Sequence, residues 1–276
     1  MNAGRGELGR RIITAAVLVP LTIAMVVAAP PAWFATLMAG FVAGASWEWT
    51  RFARWRGAAT SGYVLATLAM LPVAYVNMQA IAGAVWVAAM VWWLVAAAIV
   101  VRNECGRACP GNPPLLHAIL GWLVLVPAWL AVAYLHLHAG PVAVLALLVL
   151  IWSADSAAYF IGRRWGRHRL AMRVSPGKSW EGAIAAVAAA AALAVLYAWW
   201  TGVEYAETMT FVILSVITVV VSIVGDLMES LFKRWAGLKD SGSLLPGHGG
   251  VLDRIDSLTA AAPAFALGVT CLEISL

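Results

Sequence analysis

Long apolar stretches alternate with short polar interruptions along most of the chain. Many of the apolar runs approach the ~20 residues that an α-helix needs to cross a bilayer. Charged or turn-forming residues bound these runs, which fall near 12–29, 31–50, 62–78, 80–101, 115–135, 141–162, 182–201, 208–229 and 257–275. The pattern predicts an all-α polytopic membrane protein with about nine transmembrane helices. Because Gly40 and Gly44 interrupt the second run and the third run is short, the pattern alone also allows eight helices.

The basic residues decide between these two counts. When nine helices are traced in order, every Lys and Arg falls in the segments on one side of the membrane. The opposite segments, 77–80, 135–141, 201–208 and the C-terminus, contain neither residue type. Eight helices would break this order, so we prefer nine. Since cytoplasmic loops are enriched in Lys and Arg, we expect a multi-pass protein of the cell (inner) membrane with a cytoplasmic N-terminus.

Composition excludes some kinds of partner. The chain is 63% hydrophobic and only 11% charged, whereas about a quarter of the residues in soluble domains are charged. The net charge of +5 therefore forms a one-sided layer suited to anionic lipid headgroups or anionic soluble ligands. Nucleic acid is not an expected partner, because no soluble domain is present to bind it. Interfacial positions are expected for Trp47, Trp92, Trp93, Trp199 and Trp200.

Polar chemistry is concentrated in one half of the chain. Residues 1–110 form an apolar N-terminal half of transmembrane helices, and residues 111–276 form a C-terminal half that we expect to be catalytic. Its first polar cluster places Asp155 inside an apolar helix. The second, Ser175 to Gly182, is expected to be a loop that opens the next helix. The third runs from Asp226 to Asp256, and all three are predicted at the cytoplasmic face.

The third cluster begins on a helix. Asp226 and Glu229 are three residues apart and Glu229 and Lys233 are four apart, so the three share one helical face. A carboxylate within a transmembrane helix is costly unless it is paired, hydrated or bound to a metal. These residues therefore predict either a structural ion pair of Asp226 with Lys233 or Arg234, or a functional site.

The glycine-rich segment that follows favours the functional site. His248, Gly249 and Gly250 lie on a flexible backbone that can present successive N–H groups to an anion. Asp253 and Asp256 follow three residues apart, and either could simply cap the last helix. Capping explains one Asp but not the other charged residues. Acidic groups that bind divalent cations, together with basic groups and glycine backbone that bind phosphates, indicate phosphoryl or nucleotidyl transfer.

Residues 230–256 resemble the signature of the phosphatidate cytidylyltransferases, also called CDP-diacylglycerol synthases. The resemblance rests on Ser230, Lys233, Arg234, Lys239, Asp240, Pro246, His248, Gly249, Gly250, Asp253, Arg254 and Asp256. Two upstream blocks are similar to other polar segments of that family, namely Asp155, Ser156, Ala158, Tyr159 and Ser175, Pro176, Lys178, Ser179, Trp180, Glu181, Gly182. Ala157 and Ser179 depart from the residues that many members carry there.

The resemblance implies a reaction and its participants. CTP and phosphatidic acid would react to give CDP-diacylglycerol, which stays in the bilayer, and pyrophosphate, as a step of phospholipid biosynthesis. Mg²⁺ is the implied cofactor, and a second cation and a homodimer are compatible with the sequence. Two alternatives stay open: a cation-coupled transporter that uses Asp155, Asp226 and Glu229, and a CTP-dependent enzyme acting on another lipid phosphate.

We expect the following residues to carry the chemistry. Asp226, Asp253 and Glu229 are the predicted metal ligands, with Glu229 and Asp256 in direct or supporting roles. The predicted catalytic residues are Asp226, Lys233, Arg234, Asp253 and Asp256. The predicted substrate-binding residues are Ser175, Lys178, Lys239, His248, Gly249, Gly250 and Arg254. Arg254 could instead be a positive-inside anchor, Lys239 a solvated charge and Asp155 either a metal ligand or half of an ion pair.

Overall fold

The computed structural model describes residues 19–106, 114–244, 249–272 and 274. Within these residues the chain forms nine helices and one two-stranded sheet. The helices are α1 (Val19–Ala28), α2 (Pro31–Phe52), α3 (Ala58–Val76), α4 (Met78–Glu104), α5 (Pro114–His138), α6 (Gly140–Trp165), α7 (Trp180–Thr201), α8 (Tyr205–Ala236) and α9 (Leu252–Cys271). The strands β1 (Arg169–Ala171) and β2 (Ser175–Ser179) form an antiparallel hairpin between α6 and α7.

The predicted helical, polytopic membrane character is confirmed. Each predicted apolar run contains one helix, in the predicted order, although residues 12–18 of the first run lie outside the described residues. Six helices, α3 to α8, are long and apolar enough to cross a membrane. The helices α2 and α9 have comparable lengths, 22 and 20 residues, but are not among these six. Nine membrane crossings therefore stay a prediction.

One local expectation was wrong. The segment from Ser175 was expected to be a loop, but Ser175–Ser179 is strand β2, paired with β1 through Arg169 opposite Ser179 and Ala171 opposite Ser175. This strand lacks an alternation of apolar and polar residues, so its sequence gives no strand signal. The Ser179 hydroxyl then accepts a hydrogen bond from the Gly182 N–H at 3.2 Å and caps the start of α7.

The helix α5 lies at the centre of the bundle. It packs against α2, α3, α4, α6 and α9, and about two thirds of its most apolar stretch is buried. The outer helices α6, α7 and α8 pack in sequence and leave large apolar side chains such as Trp199, Trp200 and Ile213 exposed. Because those exposed side chains suit lipid, the packing agrees with a bundle whose outer surface faces hydrocarbon.

Two of the five tryptophans predicted at the interface are in the protein interior. Trp92 and Trp93 on α4 are buried, whereas Trp47, Trp199 and Trp200 are exposed. The helix α4 packs against α5, α8 and α9. These contacts cover side chains that the apolar pattern could not distinguish from lipid-facing ones.

Several polar segments meet at one end of the bundle. Glu104, the last residue of α4, accepts hydrogen bonds from the backbone N–H groups of Arg173 and Val174 in the hairpin turn. Arg234 near the end of α8 donates to the Val174 carbonyl at 3.4 Å. Arg51 near the end of α2 donates to the Ser241 carbonyl. The hairpin and the segment between α8 and α9 are therefore tied to the same end of the bundle.

Candidate active site

A cavity of about 530 Å³ opens between α6, the hairpin, α7 and α8. Small and apolar side chains form much of its wall, including Ala158, Ala186 and Val219. Charged groups line it as well, and they are Asp155, Arg163, Arg169, Lys178 and Asp226. A cavity with an apolar wall and a set of charges fits a molecule that has both an apolar part and a charged part.

Lys178 and Asp226 form an ion pair within this cavity. Both side chains are about one quarter exposed, so they are accessible to a ligand. Asp155 on α6 interacts electrostatically with both. Since Asp155 and Asp226 lie about three turns before the ends of α6 and α8, their carboxylates are set well below the helix ends. Three groups from the three predicted polar clusters are thus brought together by α6, β2 and α8.

A second charged group lies beside the cavity, around Lys233. The Lys233 Nζ is 2.8 Å from Asp253 Oδ1 and 3.3 Å from Glu229 Oε2, and all three side chains are almost buried. Asp256 interacts electrostatically with Asp226 and Glu229 and so links the two groups of charges. The predicted face of Asp226, Glu229 and Lys233 is present on α8, with Lys233 paired to Glu229 and Asp253.

Asp253 organises the segment that precedes it. Its carboxylate accepts hydrogen bonds from the backbone N–H groups of Ser241, at 3.0 Å, and Gly250, at 2.9 Å, in addition to Lys233. Gly249 adopts a left-handed conformation with φ of 82°, which glycine accepts without strain. Both carboxylate oxygens of Asp253 are therefore engaged with the protein, and they join α8, the glycine-rich segment and α9.

The donor set fits a cation that arrives with phosphate ligands. Five carboxylates, those of Asp155, Asp226, Glu229, Asp253 and Asp256, surround the two ammonium groups of Lys178 and Lys233. Glu229 Oε1 is buried and accepts no hydrogen bond from an N–H donor among the described residues, and the Glu229 carboxyl interacts with that of Asp256. In the described part of the chain, no three His, Cys, Asp or Glu side chains form a ready metal cage. Mg²⁺ commonly uses only one or two carboxylates and takes its other ligands from phosphate and water.

The remaining predicted residues have different positions. Ser175 is half-buried at the start of β2, and Arg234 contacts the Val174 and Leu238 carbonyl groups. Lys239 and Arg254 are exposed. His248 lies outside the described residues. Gly250 is buried, and a Cβ atom there would overlap the Ser241 hydroxyl and the carboxylate of Glu48.

Two residues of the N-terminal half were missed by the sequence analysis. Glu48 on α2 is fully buried and accepts hydrogen bonds from Ser241 Oγ, Val251 N and Leu252 N. Glu104 on α4 binds the backbone of the hairpin turn. A signal existed for Glu48, because a carboxylate inside an otherwise apolar run is costly without partners. Glu104 gave no such signal, because it follows Arg102 in a polar segment.

The chain is similar to known proteins over nearly its full length. Residues 9–272 match the sequence model described as the Cytidylyltransferase family. A phosphatidate cytidylyltransferase of Pseudomonas aeruginosa is 42% identical over 262 residues, which cover 94% of this chain and 96% of that protein. A phosphatidate cytidylyltransferase of Haemophilus influenzae is 36% identical over 280 residues, which cover 94% of this chain and 97% of that protein. One from Mycobacterium leprae is 32% identical, with coverages of 91% and 86%.

Proposed function

Because the chain belongs to the Cytidylyltransferase family, we propose that it transfers the cytidylyl group of CTP to phosphatidic acid. The resemblance found in residues 230–256 is confirmed by the match over residues 9–272 and by relatives named phosphatidate cytidylyltransferase. The products are CDP-diacylglycerol and pyrophosphate. These comparisons favour a lipid-modifying enzyme over the cation-coupled transporter.

The observation that carries the proposal is the cavity that contains the Lys178–Asp226 ion pair. Its apolar wall suits the part of phosphatidic acid nearest the headgroup, and Lys178, Arg163 and Arg169 suit anionic phosphate. Because the cavity lies between helices whose outer sides expose apolar residues, a lipid substrate can approach it from the bilayer. The charge and polarity of one cavity therefore match both ends of an amphiphilic phosphate.

The reaction makes specific demands on these residues. A phosphate oxygen of phosphatidic acid attacks the α-phosphorus of CTP, the bond from that phosphorus to the bridging oxygen breaks, and pyrophosphate leaves with the electron pair. The second pKa of a comparable phosphoester is about 6, so the attacking oxygen is ionised near pH 7 without a general base. The barrier to overcome is repulsion between two polyanions. Lys178 and the cavity arginines can reduce it by holding phosphate oxygens.

We propose Asp226 as the principal Mg²⁺ ligand, because it combines access to the cavity with neighbouring carboxylates. When bound, Mg²⁺ supplies positive charge that reduces repulsion between the phosphates. Glu229 and Asp253 stay predicted ligands. The Glu229 carboxyl lies beside that of Asp256, and this pairing of acidic groups supports its assignment, whereas Asp253 would have to exchange hydrogen bonds for metal contacts. Lys233 holds Glu229 and Asp253 in place and balances part of their charge.

We also propose that the end of the bundle with the hairpin and the glycine-rich segment faces the cytoplasm. The basic segments lie at this end, as the positive-inside tendency expects. CTP is a cytoplasmic anion, so the same orientation gives it access to the site. The bilayer surrounds the exposed apolar sides of α3 to α8.

The decisive experiment uses purified protein in mixed micelles with CTP and phosphatidic acid. We expect pyrophosphate release that requires both substrates, stops when Mg²⁺ is removed with EDTA and returns when Mg²⁺ is added. Asp226→Asn should abolish release, whereas Glu207→Gln, an exposed acidic residue in the first turn of the same helix, should not change it.

Each substrate is tested by replacement. Equal turnover with ATP or GTP would show that the enzyme does not select CTP as its nucleotide substrate. Faster turnover with a polyprenol phosphate or an ether-linked lipid phosphate than with phosphatidic acid would replace the lipid and keep the transfer chemistry.

A further inference from the structure

The residue Glu48 has no part in the chemistry described so far, although it is among the most buried charged groups of the protein. It lies on α2, in the half of the chain that is otherwise apolar, with an exposed fraction of 0%. Its neighbours on the helix include Trp49, which is also buried. A buried carboxylate is costly unless it is hydrogen-bonded. The groups that satisfy Glu48 therefore indicate why it is tolerated there.

Among the described residues, the Glu48 carboxylate accepts hydrogen bonds from Ser241 and Val251, which lie between α8 and α9, and from Leu252, the first residue of α9. Oε1 accepts the Val251 N–H at 3.1 Å, and Oε2 accepts the Leu252 N–H at 2.8 Å and the Ser241 hydroxyl at 3.0 Å. Val251 and Leu252 form the start of α9, whose first N–H groups have no partner within the helix. A carboxylate from another helix thus caps the start of α9, the helix turn that contains Asp253.

Two further contacts fix the same segment to α2. Arg51, one turn after Glu48, donates to the Ser241 carbonyl. A Cβ atom at Gly242 would overlap the Glu48 carboxylate, so the backbone there can approach only as glycine. Ser241 is fully buried between these groups, and its backbone N–H points to Asp253. The two ends of the segment 241–250 are consequently held by Glu48 and Asp253 together.

We propose that Glu48 is a positioning residue for cytidylyl transfer, acting on Asp253 and Lys233 through residues 241–242 and 250–252. Within the described part of the chain Glu48 does not line the cavity, and its side-chain hydrogen bonds come from Ser241, Val251 and Leu252, none of which is a predicted substrate-binding residue. It sets the entry of α9, and thereby the place of the Asp253 carboxylate that binds Lys233 at 2.8 Å. That the reaction is cytidylyl transfer rests on the proposed function, whereas the effect of Glu48 on the position of residues 241–242 and 250–252 does not.

The test compares Glu48→Gln with Ser46→Ala. Gln keeps the size of the side chain but replaces one oxygen by an NH₂ group, which cannot accept a bond from Val251 or Leu252. Ser46 is equally buried on α2, and its hydroxyl donates to the Ala43 carbonyl within its own helix. A displacement of about 1 Å in a catalytic group can cost on the order of a hundredfold in rate. We therefore expect kcat per folded molecule to fall about a hundredfold for Glu48→Gln and to stay unchanged for Ser46→Ala.

A second measurement, the accessibility of a cysteine at position 251, reports whether the start of α9 stays in place and does not rely on activity. Val251 is buried, so Val251→Cys, in a protein whose native cysteines are replaced by Ala, should react slowly with a maleimide. Adding Glu48→Gln should raise that labelling rate at least about tenfold, and adding Ser46→Ala should not. Glu48→Asp keeps the charge on a shorter side chain and should recover part of both kcat and protection. If Glu48→Gln does not fold, Gly242→Ala disturbs the same contact from the other side.

The proposal is overturned if either measurement for folded Glu48→Gln equals that of the parent protein. Unchanged kcat would mean that the segment's position does not matter for the reaction. Unchanged labelling would mean that any loss of rate does not act through the segment. If the parent protein releases no pyrophosphate from CTP and phosphatidic acid, the proposed function fails, and labelling alone decides whether Glu48 holds the segment.

Discussion

At the scale of a single residue, Asp253 is a carboxylate with several hydrogen-bond partners. The sequence offered a choice between a helix cap and a metal ligand. In the structure Asp253 accepts hydrogen bonds from Lys233, Ser241 and Gly250, and the Gly250 N–H lies three residues before it, outside the helix. Its role as a ligand stays a prediction. Its contacts add a third role, which is to hold the glycine-rich segment against α8.

We expect Asp253→Asn to remain folded and to lose about a hundredfold or more in turnover. Asn keeps the size and one acceptor oxygen, but it removes the charge that pairs with Lys233 and attracts a hard cation. Pyrophosphate release measured over a range of CTP concentrations should show that saturating CTP does not restore the rate. Glu207→Gln serves as the matched control. Near-normal turnover by well-folded Asp253→Asn would return this residue to a purely local role.

At the scale of an element, the hairpin is the unit that delivers Lys178 to the cavity. The hairpin has only eight residues in its strands, so its own pairing contributes little stability. Its turn is held from outside, by Glu104 through the N–H groups of Arg173 and Val174 and by Arg234 through the Val174 carbonyl. The position of Lys178 therefore depends on α4 and α8.

Glu104→Gln should loosen the hairpin without unfolding the helices. Charge-assisted hydrogen bonds are about twice as strong as neutral ones, so the turn loses part of its support. We expect turnover to fall roughly tenfold, while the thermal midpoint stays within a few degrees of the parent value. Pyrophosphate release and thermal unfolding in detergent measure the two effects. Glu204→Gln, at the opposite end of the bundle, should change neither, and a large drop in the midpoint would contradict the hairpin explanation.

At the scale of the whole molecule, orientation in the membrane can be tested with single cysteines. Glu204 and Ser243 are exposed; Glu204 directly precedes α8, and Ser243 lies in the segment that follows the other end of this helix. Both sites suit labelling better than the nearby glycines, because Gly202 has a positive φ and Gly242 contacts Glu48. In a protein whose native cysteines are replaced by Ala, a membrane-impermeant maleimide should label Glu204→Cys in intact cells. Ser243→Cys should react only after permeabilisation, and equal labelling would refute the proposed orientation.

The sequence by itself determined the helices and the class of chemistry. A transmembrane helix must satisfy its backbone internally and show apolar side chains to lipid, so each helix leaves a continuous local pattern. Residues 230–256 likewise carry their glycines and charges within one short segment, which is why the family could be identified before any contact was known.

Only the tertiary structure decided which polar groups meet. Glu48 reaches Leu252 across 204 positions of sequence, and Lys178 meets Asp226 because the hairpin folds over α8. The burial of Trp92 and Trp93 likewise depends on which helices pack against α4. Helix formation is governed by neighbours a few residues apart, whereas these contacts depend on how helices pack, and helical periodicity alone does not specify that packing.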